Sequence, residues 1–199
     1  MTALPGAVGV SRVDGLDWRD PERAEAALIA LDGPFDLIFD ATGALTIDDQ
    51  GPEKALKVID AEAMAAQFAI NAIGPALALK HYDRLMPRHG RSVFATLSAR
   101  VGSIGDNRLG GWISYRAAKA ALNQIVHTAS IEIARKRPEA IVVALHPGTV
   151  ATPLSKPFSG QRKTFMPEEA AAKLLAVLDG LRPEDNGSFF AYDGSRITW

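Results

Sequence analysis

The sequence predicts an α/β fold: a doubly wound, mostly parallel sheet with helices on both faces, in a single domain. Three observations carry this. Short apolar runs alternate with long helical patterns along the chain. The runs "LIF" and "VVAL" are continuous rather than alternating, as strands covered on both faces should be. The 199 residues contain no repeat, low-complexity tract or interdomain linker, and suffice for one sizeable core.

Taken in order, the predicted strands are Ala7–Ser11, Phe35–Ala41, Ser92–Leu97, Ile141–His146 and Ser188–Tyr192, with a further short one near Val13–Trp18. The helices are set by their ends. Asp20 caps the first, with Pro21 at its first position and Gly33-Pro34 closing it. Asp60 caps a long segment running toward Met86, stopped by Pro87. A third covers about Trp112 to Lys136, before Pro138. The last begins at Pro167, carries Glu168 and Glu169 in its first turn, and stops at Gly180.

Composition narrows the function. A net charge of −1 offers no electrostatic case for nucleic acid or an anionic membrane. No run approaches the roughly 18 apolar residues of a membrane span, and the amino terminus lacks a signal-peptide layout, so a cytoplasmic location is expected. With zero cysteines there are no disulfides and no thiolate metal sites. His81, His89, His127 and His146 share no metal-ligand spacing, so no metal is expected.

The chemistry concentrates in four places. In "SYRAAKAALNQ", Tyr115 and Lys119 are four apart and project from one helix face. Placed near a bound nicotinamide, an ammonium would favour tyrosinate and pull the phenol below its usual pKa of ~10, which makes Tyr115 a usable general acid or base. The spacing alone is weak, since it arises by chance in roughly one of every few chains of this length. Ser98 ends the strand "RSVFATLS", at the edge where open parallel sheets bind ligands, and its hydroxyl suits a carbonyl oxygen. "HPGTVATP", from His146 to Pro153, leaves another strand end as a loop suited to holding a flat polar ring. In "NAIGP", Pro75 has no N–H to give the carbonyl of Asn71, so the helix is disturbed and that carbonyl is free for a water.

Together with the ending "GSFFAYDGSRITW", these stretches resemble the short-chain dehydrogenase/reductase family, especially its C-factor-like branch, from about Ala7 to Trp199. The resemblance implies a Rossmann-like domain and an Asn-Ser-Tyr-Lys tetrad on Asn71, Ser98, Tyr115 and Lys119. Tyr115 would exchange a proton with a small carbonyl or alcohol substrate during hydride transfer. Lys119 would hold the nicotinamide ribose and keep Tyr115 acidic. Ser98 would orient the carbonyl, and Asn71 would support a water chain from Lys119. Asp17 resembles the acid that contacts the adenine, and Pro147, Gly148, Val150 and Thr152 would wrap the carboxamide.

The chain departs from the family pattern at its start. Gly6 and Gly9 are the only glycines of the first fourteen residues, and no Gly-x-Gly-x-x-Gly fingerprint surrounds them. "AVGVSRVDGLDW" resembles the family's second strand together with the segment directly after it. The first strand, glycine-rich turn and first helix are expected to be absent, leaving the pyrophosphate without a backbone cradle. The absent strand would lie between those near Val10 and Phe39. Direct pairing closes the gap, another chain fills it, or the natural protein is longer, which is the favoured expectation. "DATG" at Asp40–Gly43 replaces the usual Asn-Ala-Gly turn: Ala41 loses a tying side chain, Thr42 follows, and Gly43 still lets the adenine ribose approach.

Ser11-Arg12 occupies the strand end where an NAD enzyme has an acid. A guanidinium there suits a 2′-phosphate, which favours NADP(H) over the alternative NAD(H). Trp112 and Arg108 could line a small substrate pocket, with core packing for Trp112 and solvent for Arg108 as equal alternatives, and the segment from Leu154 to Met166 is short and polar for a lid. The resemblance implies two long helices paired across a dimer axis, hence a homodimer or homotetramer; Ala117, Ala118 and Ala121 would allow such an approach and equally suit packing against the sheet. The rival reading is a non-catalytic module of the same fold that binds a partner. A serine hydrolase is set aside, because "TLSAR" is not a Gly-x-Ser-x-Gly elbow.

Overall fold

A computed structural model describes residues 6–158, 160 and 163–199. Its central sheet has four strands in the order β1 (Leu37–Asp40), β2 (Ser92–Leu97), β3 (Ala140–His146) and β6 (Phe189–Ala191). All neighbours are parallel, with Val93 opposite Leu37 and Ile141, and Ala144 opposite Phe189. Parallel neighbours need long crossovers. Helices α2 (Ala61–Phe68), α3 (Gly74–Lys80) and α4 (Tyr82–Leu85) lie between β1 and β2, and α5 (Ile113–Ala134) lies between β2 and β3. Between β3 and β6 come the short parallel pair β4 (Thr149–Val150) and β5 (Thr164–Phe165), then α6 (Pro167–Gly180).

The sheet is buried on both faces, which is why its strands read as continuous apolar runs. On one face Phe94, Val142, Ala144 and Phe189 pack with residues of α1 (Pro21–Ile29), α3 and α5, including Leu28, Leu79, Leu122 and Val126. On the other, Val93, Ala95, Ile141, Val143 and Leu145 pack against Leu174 and Leu178 of α6. Every residue from Ile141 to Leu145 is fully buried.

The helix starts follow their caps. Asp20 accepts from the Arg23 N–H (3.1 Å) and Asp60 from the Ala63 N–H (2.8 Å). The long segment expected from Asp60 toward Met86 is broken. A π-helical turn, Ala69–Ile73, separates α2 from α3, and the Gly74 N–H reaches back five residues to the Ala69 carbonyl. The wide turn lets the chain absorb Pro75 without ending the helix.

Two expected strands are not formed. Residues 7–11 carry no strand pairing and are mostly exposed, Val8 at 62%. The stretch Val13–Trp18 opens in a single 3-10 turn, Arg12–Asp14, closed by the Ser11 and Asp14 side chains. A strand needs a neighbour to pair its backbone, and among the described residues β1 is hydrogen-bonded to β2 alone. Phe39 is left 36% exposed on that edge strand.

Candidate active site

The four residues of the expected tetrad come from three places in the fold, and two of them, Asn71 and Lys119, meet beside one glycine. Asn71 lies in the π-helical turn and is fully buried. Its Nδ2 donates to the Ala44 carbonyl (2.8 Å) and to Gln67 Oε1 (2.8 Å), while its Oδ1 accepts from the Ala44 N–H (3.1 Å). Gln67 in turn donates to the Leu45 carbonyl (3.0 Å), so two amides pin the loop that leaves β1. A side chain on Gly43 would place its Cβ 3.2 Å from Asn71 Oδ1 and 3.5 Å from Lys119 Nζ. Gly43, Asn71 and Lys119 therefore converge.

This convergence depends on how the π-helical turn is seated. A Cβ at Gly74 would fall 2.4 Å from the indole of Trp18, so only glycine lets the turn lie against that ring. Trp18 also donates from Nε1 to the Thr42 hydroxyl (3.0 Å). Thr42 donates to Asp40 Oδ1 (2.6 Å), and Asp40 Oδ2 accepts from Thr96 on β2 (2.8 Å). Asp40 thereby ties β1 to β2, the work whose loss was expected from Ala41.

Tyr115 and Lys119 are both buried on α5, with Lys119 Nζ 6.0 Å from the centre of the Tyr115 ring. Lys119 donates to the Leu97 carbonyl at the end of β2 (2.9 Å). The neighbouring Ser98 is buried, and its hydroxyl donates to Asn123 Oδ1 (2.6 Å). Burial pushes the Tyr115 phenol up to about 12. Burial likewise pulls the Lys119 ammonium down to about 8, partly opposed by Asp40. In the chain by itself, the phenol is therefore governed by burial rather than by the ammonium. The ammonium stands off the ring and is itself starved of solvent, so desolvation outweighs attraction.

Beside Tyr115, the α5 N-terminus is held from outside. Trp112, in a left-handed conformation (φ 53°), donates its N–H to the Glu53 carbonyl (2.5 Å). The Glu53 carboxylate accepts from the Ser114 N–H (3.2 Å) and from the Ser114 hydroxyl. Burial raises the Glu53 carboxyl, but the Ser114 bonds outweigh it and hold the group below its usual range. Trp112 packs edge-on against Tyr115 (6.3 Å) and Phe158 (5.3 Å), while Arg108 stays exposed. Three residues of the segment from Leu154 to Met166 (159, 161 and 162) lie outside the described residues.

The residues expected to hold a nucleotide divide into two groups. Pro147, Gly148, Val150 and Thr152 follow the end of β3, with Val150 in the short strand β4. Gly148 has φ 75°, and a Cβ there would meet Phe165 and Tyr192 at 2.9 and 3.0 Å. The Val150 carbonyl accepts from the Ser155 hydroxyl, which shapes the loop. The other group lies apart from any cradle. Ser11 and Arg12 are exposed, Ser11 bonded to Asp14. Asp17 forms an ion pair with Arg19 (2.8 Å), whose side-chain hydrogen bonds hold its carboxyl down at about 2. Among the described residues, Gly43 lies beside Asn71 and Lys119, while Gly148 lies beside Phe165 and Tyr192. The described residues supply no glycine-rich helix start for the nucleotide's pyrophosphate.

Sequence reasoning missed Asn123, Gln67, Glu53 and the Trp18–Gly74 contact. A signal existed for Asn123, which stands four residues past Lys119 on the buried face of α5. No helix among the described residues is long and apolar enough to cross a membrane, and among them no group of three or more potential ligands could hold a metal.

A family model described as "Enoyl-(Acyl carrier protein) reductase" matches residues 3–192. The chain belongs to the short-chain dehydrogenase/reductase family. Its relatives include a 1-hydroxy-2-glutathionyl-2-methyl-3-butene dehydrogenase of Rhodococcus, 33% identical over 97% of this chain and 82% of the relative. C-signal of Myxococcus xanthus is 37% identical over 84% of this chain and 94% of its own length. Among solved structures, an NADP-bound short-chain dehydrogenase/reductase of Burkholderia multivorans superposes with a TM-score of 0.77 at 26% identity. That superposition covers 92% of this chain and 75% of the other. An NADPH-bound carbonyl reductase from chicken fatty liver shares the fold (TM-score 0.78, 23% identity, 92% and 75% covered). The Rossmann-like sheet expected of this family is therefore established for this member.

Proposed function

We propose that this short-chain dehydrogenase/reductase is an NADP(H)-dependent oxidoreductase that interconverts a carbonyl and an alcohol. The observation that carries the reading is the convergence of Asn71, Lys119 and Gly43 at one end of the sheet, with Ser98 at the end of β2 and Tyr115 one helical turn from Lys119. A bound nicotinamide would supply the hydride. Tyr115, kept protonated at neutral pH by burial, is in the form that donates a proton to a carbonyl oxygen. The Ser98 hydroxyl orients that oxygen. Lys119 holds the nicotinamide ribose, and Asn71 supports the water path that returns a proton to it.

The loop Pro147–Thr152 wraps the carboxamide, Gly43 admits the ribose, Arg12 takes the 2′-phosphate, and Asp17 takes the adenine. NADP-bound and NADPH-bound relatives of the same fold support the choice of nucleotide. The open edge of β1, with Phe39 beside it, is the place where a strand bearing a glycine-rich turn would add. Two copies pairing through α5 would give a homodimer, with Ala117 and Ala121 half-buried on that helix; Ala118 is fully buried in the core and takes no part.

The test is a titration of NADPH into this 199-residue chain, followed by nicotinamide fluorescence, with carbonyl reduction assayed alongside. Saturable binding that is lost in Lys119→Ala, and turnover that is lost in Tyr115→Phe, are the expected results. Binding absent here and restored by an upstream extension would place the phosphate cradle outside this chain. Absence of both binding and turnover in either form would favour the non-catalytic module.

A further inference from the structure

We infer that Asn123 is a positioning residue for Ser98, acting with its amide nitrogen toward the serine hydroxyl. This rests on the reading of Ser98 as the group that orients the carbonyl. Tyr115, Lys119 and Asn123 are spaced four residues apart along α5, and all three are buried. Asn123 is 3% exposed, and one of its side-chain atoms lies 2.6 Å from Ser98 Oγ. In the structure that atom is Oδ1, and among the described residues Nδ2 is buried without an acceptor.

Proton arithmetic decides which orientation can work. A serine hydroxyl has one hydrogen to give. If Asn123 Oδ1 takes it, Ser98 presents only lone pairs to a substrate carbonyl, which also has only lone pairs, and the two repel. An amide has almost the same shape with its oxygen and nitrogen exchanged, so both orientations fill the same space. With Nδ2 toward Ser98, the amide donates to Oγ, and the serine hydrogen turns to the carbonyl oxygen. The same rotation gives the orphaned amide a partner. It leaves Oδ1 where Nδ2 stood, and an under-satisfied carbonyl is commoner in protein interiors than an orphaned N–H. Asn123 thus directs the Ser98 proton without touching substrate.

The test has two arms. In the first, the side-chain amide resonances of Asn123 are identified in the 15N-labelled chain by their loss in Asn123→Ala. One amide proton should be shifted downfield by its bond to Ser98 and should return upfield in Ser98→Ala. Two ordinary amide protons, unmoved by Ser98→Ala, would overturn the proposal. In the second arm, kcat and KM are compared for Asn123→Ala and Asn123→Asp. A carboxylate can only accept, so it captures the Ser98 proton. Asn123→Asp should lose kcat by about 100-fold, the scale of one lost oxyanion donor, with KM little changed. Asn123→Ala, which leaves the serine free to turn, should lose less. An Asp variant as active as the Ala variant, or more so, would overturn the proposal. Should the unmodified chain turn over no carbonyl compound, the proposed function fails, and the amide resonances alone decide the role of Asn123.

Discussion

The side chain of Asn71 grips Ala44 by both of its backbone polar groups. Nδ2 donates to the Ala44 carbonyl at 2.8 Å, and Oδ1 accepts from its N–H at 3.1 Å. A helix residue thus acts toward the loop after β1 as another strand would. Removing it leaves several buried groups without partners. Asn71→Ala should cost about 2–4 kcal/mol, read as a lowered urea midpoint with unchanged slope.

Tyr115 should separate chemistry from stability. Its replacement by phenylalanine keeps the buried ring and its edge contact with Trp112. Tyr115→Phe is expected to reduce turnover by about a thousandfold while shifting unfolding by no more than about 0.5 kcal/mol. Comparable losses in both measurements would show that the hydroxyl is structural.

The buried Lys119 makes stability depend on alkaline pH. Its folded pKa is pulled down to about 8 from an ordinary 10.5, chiefly by burial. Between those values the unfolded chain binds more protons than the folded one, so stability should rise with pH across that window. Tyr115, pushed up to about 12 from 10.0, opposes this above pH 10, where the unfolded chain loses its phenol proton first. Melting temperatures from pH 7 to 10 should therefore climb, and Lys119→Met should flatten the rise.

His146 contributes to the loss of stability in acid. Burial, helped by the Arg100 charge and opposed by Asp193, pulls its pKa down to about 4 from 6.5. The folded protein keeps this imidazole neutral where the unfolded chain protonates it. Stability should fall as pH drops from 6.5 toward 4, and His146→Gln should show a shallower loss in the same denaturation series.

Trp18 and Gly74 allow no intervening atom. A Cβ at Gly74 would lie 2.4 Å from the indole, within a ring fixed by its bond to Thr42. Gly74→Ala should destabilise by about 1–3 kcal/mol through overpacking. Because the same turn carries Asn71, turnover should fall further than stability alone predicts, a split visible by assaying well below the melting temperature.

Several features of this protein could be read directly from residue order. Asp20, Asp60 and Pro167 announced helix starts, since capping is a contact within one turn. The parallel sheet was legible because burial on both faces leaves an unbroken apolar run, as in Ile141–Leu145. Tyr115 and Lys119 share a face by helical period alone.

Other features belong to the tertiary structure, because they join residues distant in sequence. Residues 7–11 have the composition of a strand, yet a strand is made by its neighbour's backbone, and none among the described residues pairs with them. The Tyr115 phenol rises to about 12 because desolvation is a property of the packed interior. The bonds of Asn71 to Ala44, Glu53 to Ser114 and Asn123 to Ser98 each span more than twenty residues. Local periodicity has no means of recording them. Which side chains could form this site was determined by the sequence; which proton each one holds, and toward what it points, was decided by packing.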